Sequence, residues 1–316
     1  MEAAAAIELD GQYRALREAG GYLQRPGRGK LVIGGDEAAD YLQGQLTNDI
    51  EVLRPGEGCY SALLDRKGRM QGDMRVLRLA DDRVWLDTAP EGAAAILKHL
   101  SMYKVGRSVE VDDRSSEQAI VSLIGPASAS VTGAPPLGSE HSHRELEVGG
   151  IGCHAVATDQ GIDLIREAAD AAGLEAALAA AGAAAVSEAA AEIVRVESGR
   201  PRFGREMTTE TIPQEAGINE RAVSFTKGCY IGQETVARLH YKGKPNRHLR
   251  GLRLSGPAEP GTPINLGERE VGRLGTPVLS PALGSIALAI VRREAEPGAT
   301  VSLGDGVSAE VVELPF

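Results

Sequence analysis

Aromatic side chains are scarce: three Phe, seven Tyr and one Trp in 316 residues. A core of this size must therefore be closed with Leu, Val, Ile and Ala. Cysteine is scarcer, and Cys59, Cys153 and Cys229 stand too far apart for a disulfide framework or a paired metal-ligand spacing. That usage fits a reducing compartment. No apolar run approaches the roughly 20 residues that cross a bilayer, so no membrane partner is expected. The opening Met1-Glu2-Ala3-Ala4 lacks the basic flank of a secretory signal, and the expected location is the cytoplasm. H-E-x-x-H, P-loop and dinucleotide-binding glycine patterns are missing, and no metal is expected.

Positive charge is also in deficit, with 34 Lys and Arg against 44 Asp and Glu, a net charge of -10. Such a balance argues against general nucleic-acid binding. One stretch departs from it. Thr235 to Ala258 holds no acid but carries Arg238, Lys242, Lys244, Arg247, Arg250 and Arg253, leaving the remainder at -16. This stretch reads as a solvated face, as a site for an anionic small molecule or, with less weight, as an RNA contact.

The length allows two or three packed units. Residues 1–115 read as an α+β region. Strand-like runs at 31–33, 60–65, 73–79, 84–87 and 105–111 alternate with helical spacing over 37–46 and 91–103, and Asp36 stands where a helix cap is needed. Residues 116–249 read as a second α+β region. Its Gly/Pro/Ser-rich segment 132–140 reads as a surface loop. The alanine-rich 166–185, interrupted by Gly173 and Gly182, reads as two short helices or as one helix and a cap, and 188–198 as a further helix. Residues 250–316 carry short strands separated by Gly and Pro, the pattern of a small β-barrel.

The sharpest local feature is Lys227-Gly228-Cys229-Tyr230-Ile231-Gly232-Gln233-Glu234. Two glycines allow close backbone approaches, and Lys227 offers a positive charge that favours a thiolate. Cys229 is thus a candidate nucleophile, redox thiol or transient metal ligand, against the plainer reading of a small side chain in a turn. Glu234 stands four residues before Arg238, and either pairs with it or recognises an amide or amino nitrogen. Glu197 either accepts hydrogen bonds from a heterocycle or caps locally. Asp73 follows the charged turn 65–69 and either acts on an amine or caps that turn.

The same octapeptide resembles the KGCYxGQE motif of the YgfZ family. The resemblance extends to Arg195-Val196-Glu197-Ser198-Gly199, to Ile212–Gly217, to Tyr41–Asp49 and to Leu64–Arg69. It implies T-protein-like folate-binding domains around a central cleft with a C-terminal β-barrel. It further implies tetrahydrofolate or a folate derivative as cofactor, and iron-sulphur enzymes or their assembly proteins as partners. Carried over by position, Glu197 is the expected pterin contact and Cys229 the hallmark thiol, while Lys227, Gln233, Glu234 and Arg238 shape or line the cleft. Where T-proteins carry paired aspartates this chain has Gly72-Asp73, so aminomethyl transfer is not expected if the first carboxylate is essential. The implied function is a monomeric, tetrahydrofolate-binding accessory protein for assembly or repair of iron-sulphur enzymes. The alternatives are a folate-dependent one-carbon or aminomethyl transferase, and a non-catalytic interaction or RNA-binding protein.

Overall fold

The computed structural model describes residues 2–304 and 306–316, with side chains from residue 8 onward. Met1 and Asp305 lie outside the described residues, and with Met1 part of the reading of the chain's start. The fold is α+β and ends in a closed barrel.

Helix α1 (Glu2–Glu18) and strand β1 (Gly21–Gln24) come first. A five-stranded antiparallel sheet then forms from β2 (Gly29–Gly34), β3 (Gly58–Leu64), β4 (Met70–Ala80), β5 (Arg83–Thr88) and β6 (Glu110–Asp113), in the order β3-β4-β5-β2-β6. Helices α2 (Ala38–Gln45) and α3 (Pro90–Tyr103) bury one of its faces. Pro90 suits the first turn of α3, where its missing N–H costs nothing, and Ile96 and Leu100, one turn apart, are fully buried. Each such side chain contributes about 1.5–3 kcal/mol. The turn joining β3 to β4 is set by Asp65, whose Oδ1 accepts from the backbone N–H of Lys67 (2.8 Å) and Arg69 (2.9 Å).

The second sheet holds β7 (Gln118–Ile124), β8 (His143–Val148), β9 (Ile151–Ala157), β10 (Gly161–Glu167) and β11 (Ala184–Ala185), and it also recruits β1. Its order is β11-β1-β7-β10-β9-β8, so the first 24 residues serve a sheet whose other strands begin after residue 115. Helices α4 (Ser128–Thr132), α5 (Ala171–Ala180) and α6 (Glu188–Glu197) accompany it, and α1 packs on α6 through Tyr13, Leu16, Ile193 and Val194. A short helix α7 (Asn219–Ala222) and then α8 (Gln233–Lys242) lead into the barrel. The barrel comprises β12 (Arg247–Leu254), β13 (Pro263–Leu266), β14 (Arg269–Ser280), β15 (Gly284–Arg292), β16 (Thr300–Ser302) and β17 (Ser308–Val312). It closes in the order β12-β15-β14-β13-β16-β17 around alternating residues such as Ala287, Ala289 and Val291.

Local expectations fail where tertiary contacts outweigh local signals. Asp36 does not cap α2; Glu37 occupies that position and makes no side-chain cap. Within 166–185 one helix and a cap form rather than two short helices: Gly173 lies inside α5 and Gly182, φ 93°, follows its end, while residues 166–167 extend β10 because they pair with Ala119 and Gln118. Strand β6 begins only at Glu110, where pairing with β2 starts. Among the described residues no helix is long and apolar enough to cross a membrane.

Candidate functional site

A cavity of about 270 Å³ opens where the two sheets, α6 and the segment after it meet. Its wall takes Tyr60 from β3, Asp73 and Arg75 from β4, Ser122 from β7, Asp163 from β10, and Glu192 and Arg195 from α6. Seven arginines line it: Arg25, Arg28, Arg75, Arg195, Arg200, Arg202 and Arg221. Five carboxylates face them: Asp73, Glu140, Asp159, Asp163 and Glu192.

Asp73 is buried, and the Tyr60 hydroxyl donates to its Oδ2 at 2.5 Å. Burial raises the Asp73 carboxyl above its ordinary range, although Tyr60, Arg28 and Arg202 pull the other way. Burial, joined by the negative charge of Asp73, pushes the Tyr60 phenol well above its usual value. The Arg221 guanidinium lies 5.0 Å from the Tyr60 ring centroid, a cation–π arrangement that fixes the ring. A carboxyl with a raised pKa, one phenolic partner and access to a cavity is able to hold or exchange a proton.

The arginines are held in networks. Arg75 donates to Asp87 (Nε to Oδ2, 2.7 Å) and to Asp163 (Nη1 to Oδ2, 2.7 Å), so one guanidinium ties the first sheet to the second. Arg28 also pairs with Asp87. Burial alone would raise the Asp87 carboxyl, but Arg75 and Arg28 overcome it and hold the group far below the usual range. Glu192 accepts from Arg195 through both oxygens (3.0 and 2.9 Å) and from Arg202 (2.9 Å). Burial opposes its ionisation, but these two arginines lower its pKa overall. Arg195 reaches Glu206 as well (3.1 Å), which fastens α6 to the segment leading toward the barrel. Three buried polar atoms on the cavity's residues still lack any partner: Arg75 Nη2, His141 Nδ1 and Arg202 Nε. Unpaired buried donors and acceptors are costly, by about 1–3 kcal/mol each. All three belong to residues that line this one cavity.

The residues singled out from sequence separate into three places. Asp73 is in the cavity. Glu197 is not. It lines a depression of about 320 Å³ beside Arg17 and Phe316, accepts from Tyr13 (2.9 Å) and Ser280 (2.5 Å), and leaves Oε2 without a hydrogen bond. Glu192 and Glu197 are five residues apart, about 140° around the helix, so they cannot face one cavity. Between the two sites lies a third hollow with wall residues in common with each. A groove of about 910 Å³ shares Asp159, Gln160, Arg200, Pro201 and Arg221 with the cavity, and Arg17, Ser198 and Pro315 with the depression.

The octapeptide forms the third place. Lys227 is buried and donates through Nζ to the carbonyl oxygens of Gln43 (2.7 Å), Leu46 (2.8 Å) and Asn48 (2.6 Å). It thus ties the motif to the end of α2 and lines no part of the cavity. Burial lowers its pKa to about 8. Tyr230 is in the core with Leu64, Met70 and Val236. Gln233 makes only a long contact to the Gly228 carbonyl (3.5 Å). Glu234 and Arg238 are both exposed, and no ion pair between them is formed among the described residues. Cys229 is exposed, whereas burial pushes the Cys59 thiol up to about 12 and the Cys153 thiol up to about 11. Neither Glu197, the expected pterin contact, nor Cys229, the hallmark thiol, lines the cavity, and Cys229 is exposed at the surface.

The sequence reading missed Tyr60, Glu192 and the cavity arginines. None of the seven comes from the acid-free stretch; Arg247 of that stretch pairs instead with Glu215 (2.9 Å). The one available signal was the spacing of Glu192 and Arg195, three apart on a helix. Among the described residues no cluster of His, Cys, Asp and Glu has metal-holding geometry.

Two sheets followed by a closed barrel form a T-protein-like architecture. A family model described as the GCVT N-terminal domain matches residues 5–227, and the chain belongs to that family. It is similar to a chloroplastic putative transferase of Arabidopsis thaliana, 30% identical over 91% of this chain and 69% of that protein. It is also similar to an aminomethyltransferase of Rubrobacter xylanophilus, 28% identical over 98% of this chain and 86% of that one. Among solved structures, the glycine cleavage system aminomethyltransferase T of Bartonella henselae superposes with a TM-score of 0.87 at 22% identity, over 98% of this chain and 89% of that chain. That likeness establishes the shared fold.

Proposed function

We propose that the protein binds a reduced folate, tetrahydrofolate, in the arginine-lined cavity and acts as an accessory factor in assembly or repair of iron-sulphur enzymes. The observation that carries the folate half is the pairing of buried Asp73 with Tyr60 inside a ring of seven arginines. A carboxyl of that kind suits the amine nitrogens of a reduced pterin. Arginines suit a glutamate tail through paired, charge-assisted hydrogen bonds. Asp73 would hold a proton at the reacting nitrogen, and Arg28 and Arg202 would stabilise its ionised form. Glu197 would contact the guest only where the groove reaches its depression.

The accessory half rests on the KGCYxGQE-like segment and on the outward thiol of Cys229. One thiol cannot hold a cluster unaided, so its chemistry requires a partner protein. A cytoplasmic monomer fits this reading. The test combines calorimetric titration with tetrahydrofolate under reducing conditions and restoration of iron-sulphur enzyme activity in cells lacking the endogenous protein. Tight binding with restoration lost in Cys229→Ala is the expected result. Equal restoration by Cys229→Ala removes the thiol from the account.

A second reading, a folate-dependent transferase, has one observation in its favour. A Cβ on Gly72 would fall 2.7 Å from Ile96, on the side facing α3, while Asp73 lines the cavity. The carboxylate missing from the pair is therefore not one that faced the cavity in this fold. Folate-dependent turnover abolished in Asp73→Asn would establish that reading.

A further inference from the structure

His141 carries a side chain on a left-handed backbone, φ 72°, the one non-glycine residue with positive φ among those described. A conformation of that kind costs energy and persists only where neighbouring structure enforces it. Here the enforcement is visible: the His141 N–H donates to the Ala157 carbonyl (2.8 Å), and the next residues pair with the turn before β3, His143 N–H to Gly56 (2.8 Å). The strain turns the imidazole inward, so that it lines the central cavity with its side chain only 13% exposed. Among the described residues no hydrogen bond satisfies its ring. Nδ1 is closed off without a partner, and Nε2, the nitrogen left accessible to a guest, stops 3.6 Å from Glu140, beyond a hydrogen bond. Glu140 is occupied elsewhere, with Arg221.

We propose that His141 is a ligand-reading residue of the cavity, its imidazole completing its hydrogen bonds only when a guest with N–H or carbonyl groups is present. On the proposed folate reading, on which this inference rests, that guest is the reduced pterin. Asp73 and His141 would then address it as a carboxyl from β4 and a neutral base from the turn before β8. Neutrality follows from the surroundings. Burial lowers the imidazole pKa to about 4; Glu140 and Asp87 oppose that shift, and Arg75 and Arg221 add to it. A neutral imidazole both donates and accepts, which neither Asp73 nor any arginine of the wall does alone when charged.

The strain makes the test clean. His141→Gly and His141→Asn remove the ring while suiting a left-handed backbone, so the fold should be kept and the melting temperature unchanged or raised. The expected result is a Kd for tetrahydrofolate raised about tenfold in both variants, the scale of one buried hydrogen bond. In the full-length wild type with 15N-labelled histidine, saturating tetrahydrofolate should move the His141 ring nitrogen resonances, a response that a purely structural residue would not give. Wild-type binding with unchanged affinity in His141→Gly, or with unmoved ring resonances, overturns this inference and leaves the folate reading standing. A wild-type protein that binds no tetrahydrofolate overturns both.

Discussion

Gly232 of the octapeptide lies against Gly68 of the β3–β4 turn, so closely that a Cβ on Gly232 would fall 3.1 Å from the Gly68 α-carbon and 2.5 Å from the Asp65 carbonyl oxygen. Both glycines have positive φ, 85° and 79°. The motif that exposes Cys229 is therefore built onto the hairpin whose second strand carries Asp73. Gly232→Ala must shift one of the two backbones as well as adopt a disfavoured φ. We expect a loss of about 2–4 kcal/mol, measured by urea denaturation. A loss under about 0.5 kcal/mol, the usual surface scale, would show that the contact is slack.

Asp73 carries a stability cost at neutral pH. Its folded-state pKa is raised, so between the ordinary value of 3.8 and the raised one the folded chain binds more protons than the unfolded chain. Stability is then lost as pH climbs through that interval. Asp73→Asn should melt higher than wild type at neutral pH, by about 0.5–2 kcal/mol, and the advantage should fade on acidification toward the ordinary carboxylate value. The same variant should bind tetrahydrofolate more weakly. A variant less stable than wild type at neutral pH would contradict the assignment.

Asp87 behaves in the opposite sense. Its pKa is depressed, so its contribution is present above the ordinary 3.8 and disappears as pH falls through the depressed value. Asp87→Ala strands Arg75 and Arg28 and should cost about 3–5 kcal/mol, seen in equilibrium denaturation. Paired removal of Asp87 and Arg75 should recover part of that loss, since no buried charge is then left alone.

Lys227 serves the fold. Replacing it with Met leaves the Gln43, Leu46 and Asn48 carbonyls without their shared donor, and should cost about 2–3 kcal/mol at neutral pH. The folded-state pKa of about 8 lies below the ordinary 10.5, so the unfolded chain binds more protons between the two values. Wild-type stability relative to Lys227→Met should therefore rise with pH across that interval. A difference that shrinks there would mean the ammonium is not desolvated.

The three thiols should separate kinetically. Cys229 is exposed, whereas the raised pKa values of Cys59 and Cys153 leave almost no thiolate at neutral pH. A disulfide-exchange reagent should modify Cys229 rapidly in the native protein, and the other two only on unfolding. Rapid modification of all three in native buffer would disprove the burial assigned to Cys59 and Cys153.

The helices α2, α3 and α6 were legible from local pattern, because their apolar residues recur at helical spacing. The barrel was legible from short strands set off by Gly and Pro. Strand β1 was not, since Gly21–Gln24 has no periodicity of its own and is extended because it pairs with β7 and β11. Asp73 stood out through its turn, but Tyr60 did not, because only the β3–β4 register sets the two on one face.

The sequence by itself determined most of the helices, the short strands of the barrel, and to which family the chain is akin. These are properties of neighbours along the chain, or of short runs compared with other chains. The tertiary structure alone decided that Lys227 caps a distant helix, that Cys229 is the exposed cysteine, that Glu192 rather than Glu197 lines the cavity, and that seven arginines line it together with Asp73. Burial, desolvation and charge pairing act through space. Residues more than a hundred positions apart therefore acquire their chemistry only once the two sheets and the helix between them have closed on a single volume.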